Sequence, residues 1–148
     1  AGLKLTNDQL VATDADQAYF KFQTDATNSE AFTDFTLLHF VHSLAGVDYI
    51  SALPITVAAN TTYHLKVVID GDRKATIFVN GQQYNVTTTA GSTGGTAVTA
   101  VSEGATVTKT AALTDDVDFI PYIGIEAGAA AAEALDVHYQ AINRIIFE

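Results

Sequence analysis

YHLKVVIDGDRKATIFVNG, residues 63–81, contains two runs of alternating side chains separated by a polar turn. In the first run Tyr63, Leu65, Val67 and Ile69 alternate with His64, Lys66, Val68 and Asp70, a period of two that places the first set on one face of a sheet. In the second, Ala75, Ile77 and Val79 alternate with Thr76, Phe78 and Asn80. Between them Asp70 to Lys74 supplies the Gly, Asp and charges of a solvent-exposed hairpin connection. Asn80-Gly81 is suited to positive φ at two successive residues, as a type I′ turn demands, so Gln82 to Val86 is expected to pair back as a third strand.

Upstream of this meander, residues 1–16 carry Leu3, Leu5, Leu10 and Val11 among polar residues, a pattern for a short edge strand or a docked N-terminal arm. Ala18, Phe20 and Phe22 then alternate with Tyr19, Lys21 and Gln23, as in a half-buried strand. FTDFTLLHFVHSL, residues 32–44, is apolar on both faces from Leu37 to Val41 and reads as a central strand covered on both sides, with a helix as the competing reading. Gly46 interrupts it, and Val47, Tyr49 and Ile50 begin a short strand ending near Pro54, which cannot donate to a ladder.

Downstream, residues 87–114 are almost wholly Thr, Ala, Gly, Val and Ser, without an aromatic residue. This excursion is readable as a long thin hairpin or as a segment mobile near Gly94-Gly95, able to reach a neighbouring molecule. FIPYIGI, residues 119–125, returns to core character, with Pro121 pointing to an edge or bulged strand. Residues 127–134 have helix-forming composition, but Gly128 and the shortness of the run favour a turn or a single helical turn. LDVHYQAINRIIF, residues 135–147, sets Leu135, Val137 and Tyr139 opposite Asp136, His138 and Gln140, the pattern of a closing strand paired inside a sheet. About nine or ten short strands with regular turns and no convincing amphipathic helix predict an antiparallel β-sandwich or jelly roll. The 148 residues fit one domain, with arm 1–16 and excursion 87–114 as its irregular parts.

Composition narrows the partners. Cysteine is absent, which excludes disulfides, thiolate nucleophiles and Cys-ligated zinc. The Ala1-Gly2 start is consistent with removal of an initiator Met, and no signal peptide is apparent in the chain as given. The longest apolar clusters, 119–125 and 127–132, are far shorter than the roughly 20 residues that span a bilayer. With 17 acidic and 7 basic residues the formal net charge is −10, which repels phosphate backbones and anionic headgroups; neither nucleic acid nor membrane is expected as a partner.

Candidate chemistry is sparse. His39 and His42 are three apart on a strand-like run, hence on opposite faces, and do not converge on a metal; His64 and His138 fall on presumed outer faces. Asp70 and Asp72 flank Gly71, and Asp115, Asp116 and Asp118 cluster, but neither group matches an EF-hand loop. Asn60-Thr61-Thr62 and Asn85-Val86-Thr87 match the glycosylation acceptor pattern, an expected chance match in a Thr-rich chain. Gly91 to Gly95 neither follows a strong strand nor opens a helix, so it is no phosphate loop. No triad or dinucleotide motif is present, and neither an enzyme nor a cofactor is expected.

The meander is similar to that of laminin-G or concanavalin-like jelly rolls, where an aromatic-His-Leu opening, a DG-type turn and a VNG or VDG turn recur. Together with DFIPYIGIEAGAAAAEALDVHYQAINRI it resembles a family of tailed-bacteriophage virion proteins, small jelly-roll modules of capsid decoration and fibre proteins. The resemblance covers residues 60–86 and 115–147 and carries fold signatures only. It implies a decoration (cement) protein on the outer capsid surface, a homotrimer that bridges subunits of the major capsid protein. A lectin-like module binding glycan is the alternative, with Tyr49, Tyr84 or Tyr122 as its aromatic platform. Contacts are expected from the segments least explained by a core, through Leu3, Leu5, Thr93, Val98, Val101 and Val107.

Overall fold

The computed structural model describes residues 1–7, 11, 14–24, 32, 34–91, 94–125 and 134–143. Among them nine strands are formed: β1 (Gly2–Lys4), β2 (Gln17–Lys21), β3 (Leu37–Leu44), β4 (Val47–Thr56), β5 (Leu65–Ile69), β6 (Ala75–Val79), β7 (Gln82–Tyr84), β8 (Thr96–Ala97) and β9 (Ile120–Tyr122). They build a six-stranded sheet, in the order β8-β4-β3-β2-β1-β9, and a three-stranded sheet, β5-β6-β7. The fold is all-β with two sheets sharing a core, consistent with a β-sandwich.

The meander forms as its alternation predicts. Ala75, Ile77 and Val79 are buried, and Tyr63, Val67 and Ile69 pack against the same cluster. Asn80 and Gly81 take φ of +51° and +82°, the two left-handed residues of a type I′ turn, and Val79 pairs with Gln82 across it. The β5–β6 connection departs from expectation in one detail: Arg73, at φ +61°, takes the left-handed position. Asp70 compensates, its carboxylate accepting the N–H of Asp72 and of Lys74 while its carbonyl accepts that of Arg73, so the turn is held by side-chain hydrogen bonds.

Strand β3 is covered on both faces. On one side Ala18, Phe20, Leu38, Phe40 and Leu53 join Ala75, Ile77 and Val79 of the smaller sheet, with Val86 and Leu113 completing the cluster. Phe20 and Phe40 meet edge to face at 5.3 Å, at the centre of that layer. On the other side Tyr19, Val41 and Ile50 form a second cluster with Val11 and Phe32. This double cover explains why the stretch reads as apolar all round.

Four expectations are corrected. First, β1 is no edge strand, for it lies between β2 and β9 and pairs with both. Gly2 makes this possible, because a Cβ there would run into the backbone of Tyr19. Second, the sandwich is not purely antiparallel: β8 runs parallel to β4, pairing Ser51 with Thr96 and Ala52 with Ala97. A short strand that returns from a long excursion has no hairpin to dictate its direction. Third, β4 does not stop at Pro54 but runs on to Thr56. The β3–β4 register slips between Leu37 and His39, and Pro54, exposed, sits in that irregularity, where a missing N–H costs no ladder bond. Fourth, the third meander strand ends at Tyr84, and the described part of the expected closing strand, residues 135–143, forms no strand; 144–147 and the turn expected at 127–133 lie outside the described residues.

Candidate interaction surface

Each segment expected to make contacts is placed differently. The N-terminal strand is anchored through Lys4, whose buried ammonium lies 3.6 Å from the Asp14 carboxylate and over the rings of Tyr19 (4.6 Å) and Tyr122 (5.5 Å). Asp14 also accepts the backbone N–H of Leu5 and of Thr6 and the Thr6 hydroxyl, which fixes the turn leaving β1. Leu3, on the opposite face to Lys4, pairs with Ala18 and Pro121. Leu3 and Leu5 are both half-buried.

The described part of the excursion is fastened to both sheets, residues 87–98 along β4 and residues 99–113 along the smaller sheet. Asn85 donates to the Thr99 carbonyl, Val101 to that of Gln83, Val86 to that of Thr108, and Leu113 to that of Arg73. Thr110 binds Ala75 twice, donating its N–H to the carbonyl and accepting the Ala75 N–H on its hydroxyl at 2.8 Å. These bonds replace the expected longer third strand, because past Tyr84 the flank of β6 is closed by residues 108–113. At the other end Gly94 is buried and bridges to Phe32, and Gly95, at φ +85°, lies against His39, Ala52 and Ile50. A side chain at position 95 would press on all three, so the glycine allows the strap to cross the sheet closely. Val98 packs against the shared core, and Val101 and Val107 are half-buried; Thr93 lies outside the described residues. Of the described contact residues, Val98 is held by the fold itself.

Near Val107 an open depression of about 590 Å³ is lined by Asp70, Asp72, Lys74, Thr88, Lys109, Thr110, Ala111 and Ala112. Lys109 bonds the Asp70 carboxylate at 2.8 Å, and Asp115 pairs with Arg73 at 2.6 Å. The Lys109 ammonium, with the backbone N–H groups of Lys74 and Asp72, holds the Asp70 carboxyl below the usual carboxylate range. Among the described residues no three His, Asp or Glu side chains gather as a metal site.

His39 and His42 face opposite ways, as their spacing requires. His39 lies 4.4 Å from the Phe32 ring, whereas His42 stacks on Tyr49 at 4.7 Å and on Phe40 at 6.0 Å. Burial pushes both imidazoles down, His42 to about 4. They are neutral packing elements of β3. The three tyrosines of a sugar platform are also dispersed: Tyr49 stacks on His42, Tyr84 packs against the shared core, and Tyr122 is buried edge-on to Tyr19.

Among the described residues the most exposed large apolar side chains lie elsewhere. Residues 134–143 form no regular element and are exposed throughout, with Leu135, Val137, Tyr139 and Ile142 between half and four-fifths accessible. None hydrogen-bonds another described residue. The alternation identifies this segment as strand-forming, but its pairing inside the sheet is not realised, and His138 with it is exposed on an arm. Compared with protein-family models, curated proteins and solved structures, the chain matches none of them.

Proposed function

We propose that this protein is a structural virion protein of the capsid decoration (cement) type, a jelly-roll-like module that binds the outer surface of a phage head and stabilises it as a homotrimer in contact with the major capsid protein. The observation that carries this reading is the exposed apolar arm 134–143 beside a two-sheet hydrophobic core. Apolar surface of this kind serves macromolecular contact better than small-ligand capture. The resemblance of residues 60–86 and 115–147 to phage virion modules supplies the particular partner. The mechanism is mass action: a protein that binds only the intact shell adds its binding free energy to the resistance of that shell to heat and internal pressure.

The glycan-binding alternative gains little from the geometry. Its three tyrosines are turned to core and strand neighbours, and the depression by Asp70 has no aromatic wall. The test is cosedimentation of the purified protein with icosahedral phage heads stripped of surface proteins. Saturable binding at a fixed number of copies per head, with a raised disruption temperature, is expected. Absence of binding, together with retention on a glycan array, would overturn the proposal in favour of the lectin-like reading. Removing residues 94–104 is a poor probe, because that segment carries β8 and Val98 and its loss would open the edge of β4.

A further inference from the structure

We infer that residues 135–139 of one copy add to the free edge of β5 in a second copy, so that the molecule self-associates by exchanging its C-terminal arm. The inference rests on the self-association in the proposal above, and gives it a mechanism; capsid binding is separate from it.

Donor and acceptor each lack what the other offers. Strand β5 ends the three-stranded sheet: β6 pairs with one side of it, and among the described residues its other side has no backbone partner. An unpaired edge is a template for another strand. Arm residues 135–139 match β5 in length, five residues against five.

The faces also match. Leu65, Val67 and Ile69 occupy one face of β5, the last two against the core, and Leu135, Val137 and Tyr139 occupy one face of the arm. A parallel register, Leu65 to Ile69 against Leu135 to Tyr139, keeps both apolar sets inward and brings Asp136 beside Lys66, two exposed residues of opposite charge. Lys66 on an open edge guards against indiscriminate pairing, and a strand with a carboxylate at the facing position satisfies it.

The space beside β5 favours an additional strand. Three strands at about 4.8 Å spacing cover only half the width of a six-stranded sheet. Of the larger sheet, β5 sits against β2, so the next strand outward would lie over β1. Leu3 and Pro121 share the face of core residue Ala18 in the β2-β1-β9 ladder, Leu3 half-buried and Pro121 exposed. An arriving arm would cover Leu3 with its inward residues. Each copy has one arm and one edge, so head-to-tail exchange uses both, and a threefold rotation between copies would close it into the proposed trimer.

The absence of cysteine makes the test clean. Two full-length variants, Lys66→Cys and Asp136→Cys, are mixed at high concentration under mild copper-phenanthroline oxidation, with Thr61→Cys replacing Lys66→Cys as the control. A disulfide-linked heterodimer as the main product, at least severalfold above the control, is expected. Val137→Asp should then shift the unmodified assembly to monomer in sedimentation velocity while leaving the β circular-dichroism signal intact. An oligomer that yields no Lys66→Cys to Asp136→Cys link overturns arm exchange while preserving self-association. A monomer at every concentration overturns both. A link that forms within the doubly substituted chain at high dilution shows the arm folding onto its own β5, and also overturns the inference.

Discussion

Residues 63–81 and 134–143 obey the same rule of alternation and end in opposite states. In the meander Ala75, Ile77 and Val79 are buried and every strand has a neighbour in register. In the arm Leu135, Val137 and Tyr139 are exposed. The difference lies in how each finds its partner. The meander strands are joined by turns of a few residues that set direction and register locally, so pairing follows from the sequence at hand. No turn joins the arm to another described strand, and its alternation states a capacity to pair without naming the recipient. Period-two patterning is therefore evidence for a strand, and evidence for its partner only when a short turn accompanies it.

The comparison breaks most readily at the core. Phe40→Ala removes a fully buried ring stacked edge-on against Phe20 and is expected to cost about 3–5 kcal/mol in chemical denaturation. A loss below about 1 kcal/mol would show that the two sheets do not share the core described.

Acid comes next. His42, with an ordinary value of 6.5, is held neutral by burial to about 4, so the unfolded chain binds a proton that the folded chain refuses between those limits. Stability is complete above about pH 6.5 and declines as pH falls towards 4, by about 3 kcal/mol for His42 alone; His39 acts in the same direction. Melting temperature measured across that window checks this, and His42→Phe should flatten the decline.

The strap is a smaller lever. Thr110→Val deletes the hydroxyl that accepts the Ala75 N–H in a buried position and should cost about 1–3 kcal/mol. An unchanged denaturation midpoint would show that the excursion is not fastened to β6.

Tyr139→Ser sharpens the comparison from the other end. The ring is about four-fifths exposed, and its loss should change the stability of the isolated protomer by no more than about 0.5 kcal/mol, read at concentrations where the protein is monomeric.

Much of the fold was legible in particular residues. Asn80-Gly81 announces its turn, the both-faces apolar run at 37–41 announces a doubly covered strand, and the three-residue spacing of His39 and His42 rules out their convergence. Other features depend on distant partners. That Arg73 takes the left-handed position follows from hydrogen bonds to Asp70, and that β4 passes through Pro54 follows from a register slip opposite Leu37. The parallel direction of β8, the interior place of β1 and the fastening of 99–113 to residues 73–75 and 83–86 are all long-range choices that no local window contains. The contact surface was the least legible part. Low hydrophobicity in the excursion suggests availability, whereas its Thr99, Thr108 and Thr110 bond Asn85, Val86 and Ala75, and the exposed apolar residues of 134–143 lie in the arm that reads most like core.

The place of β1 between β2 and β9 also has a bearing on synthesis. One side of the first strand is completed by the β2 hairpin soon after it leaves the ribosome, but the other side must wait for Ile120–Tyr122. At roughly 5–20 residues per second that interval is on the order of 6–24 s, during which the nascent chain carries an open strand edge beside its buried Lys4 site. The larger sheet closes only once Ile120–Tyr122 have been made, and its assembly should be slow, because its outermost pairing joins Gly2 to Tyr122 and Lys4 to Ile120 across most of the described chain.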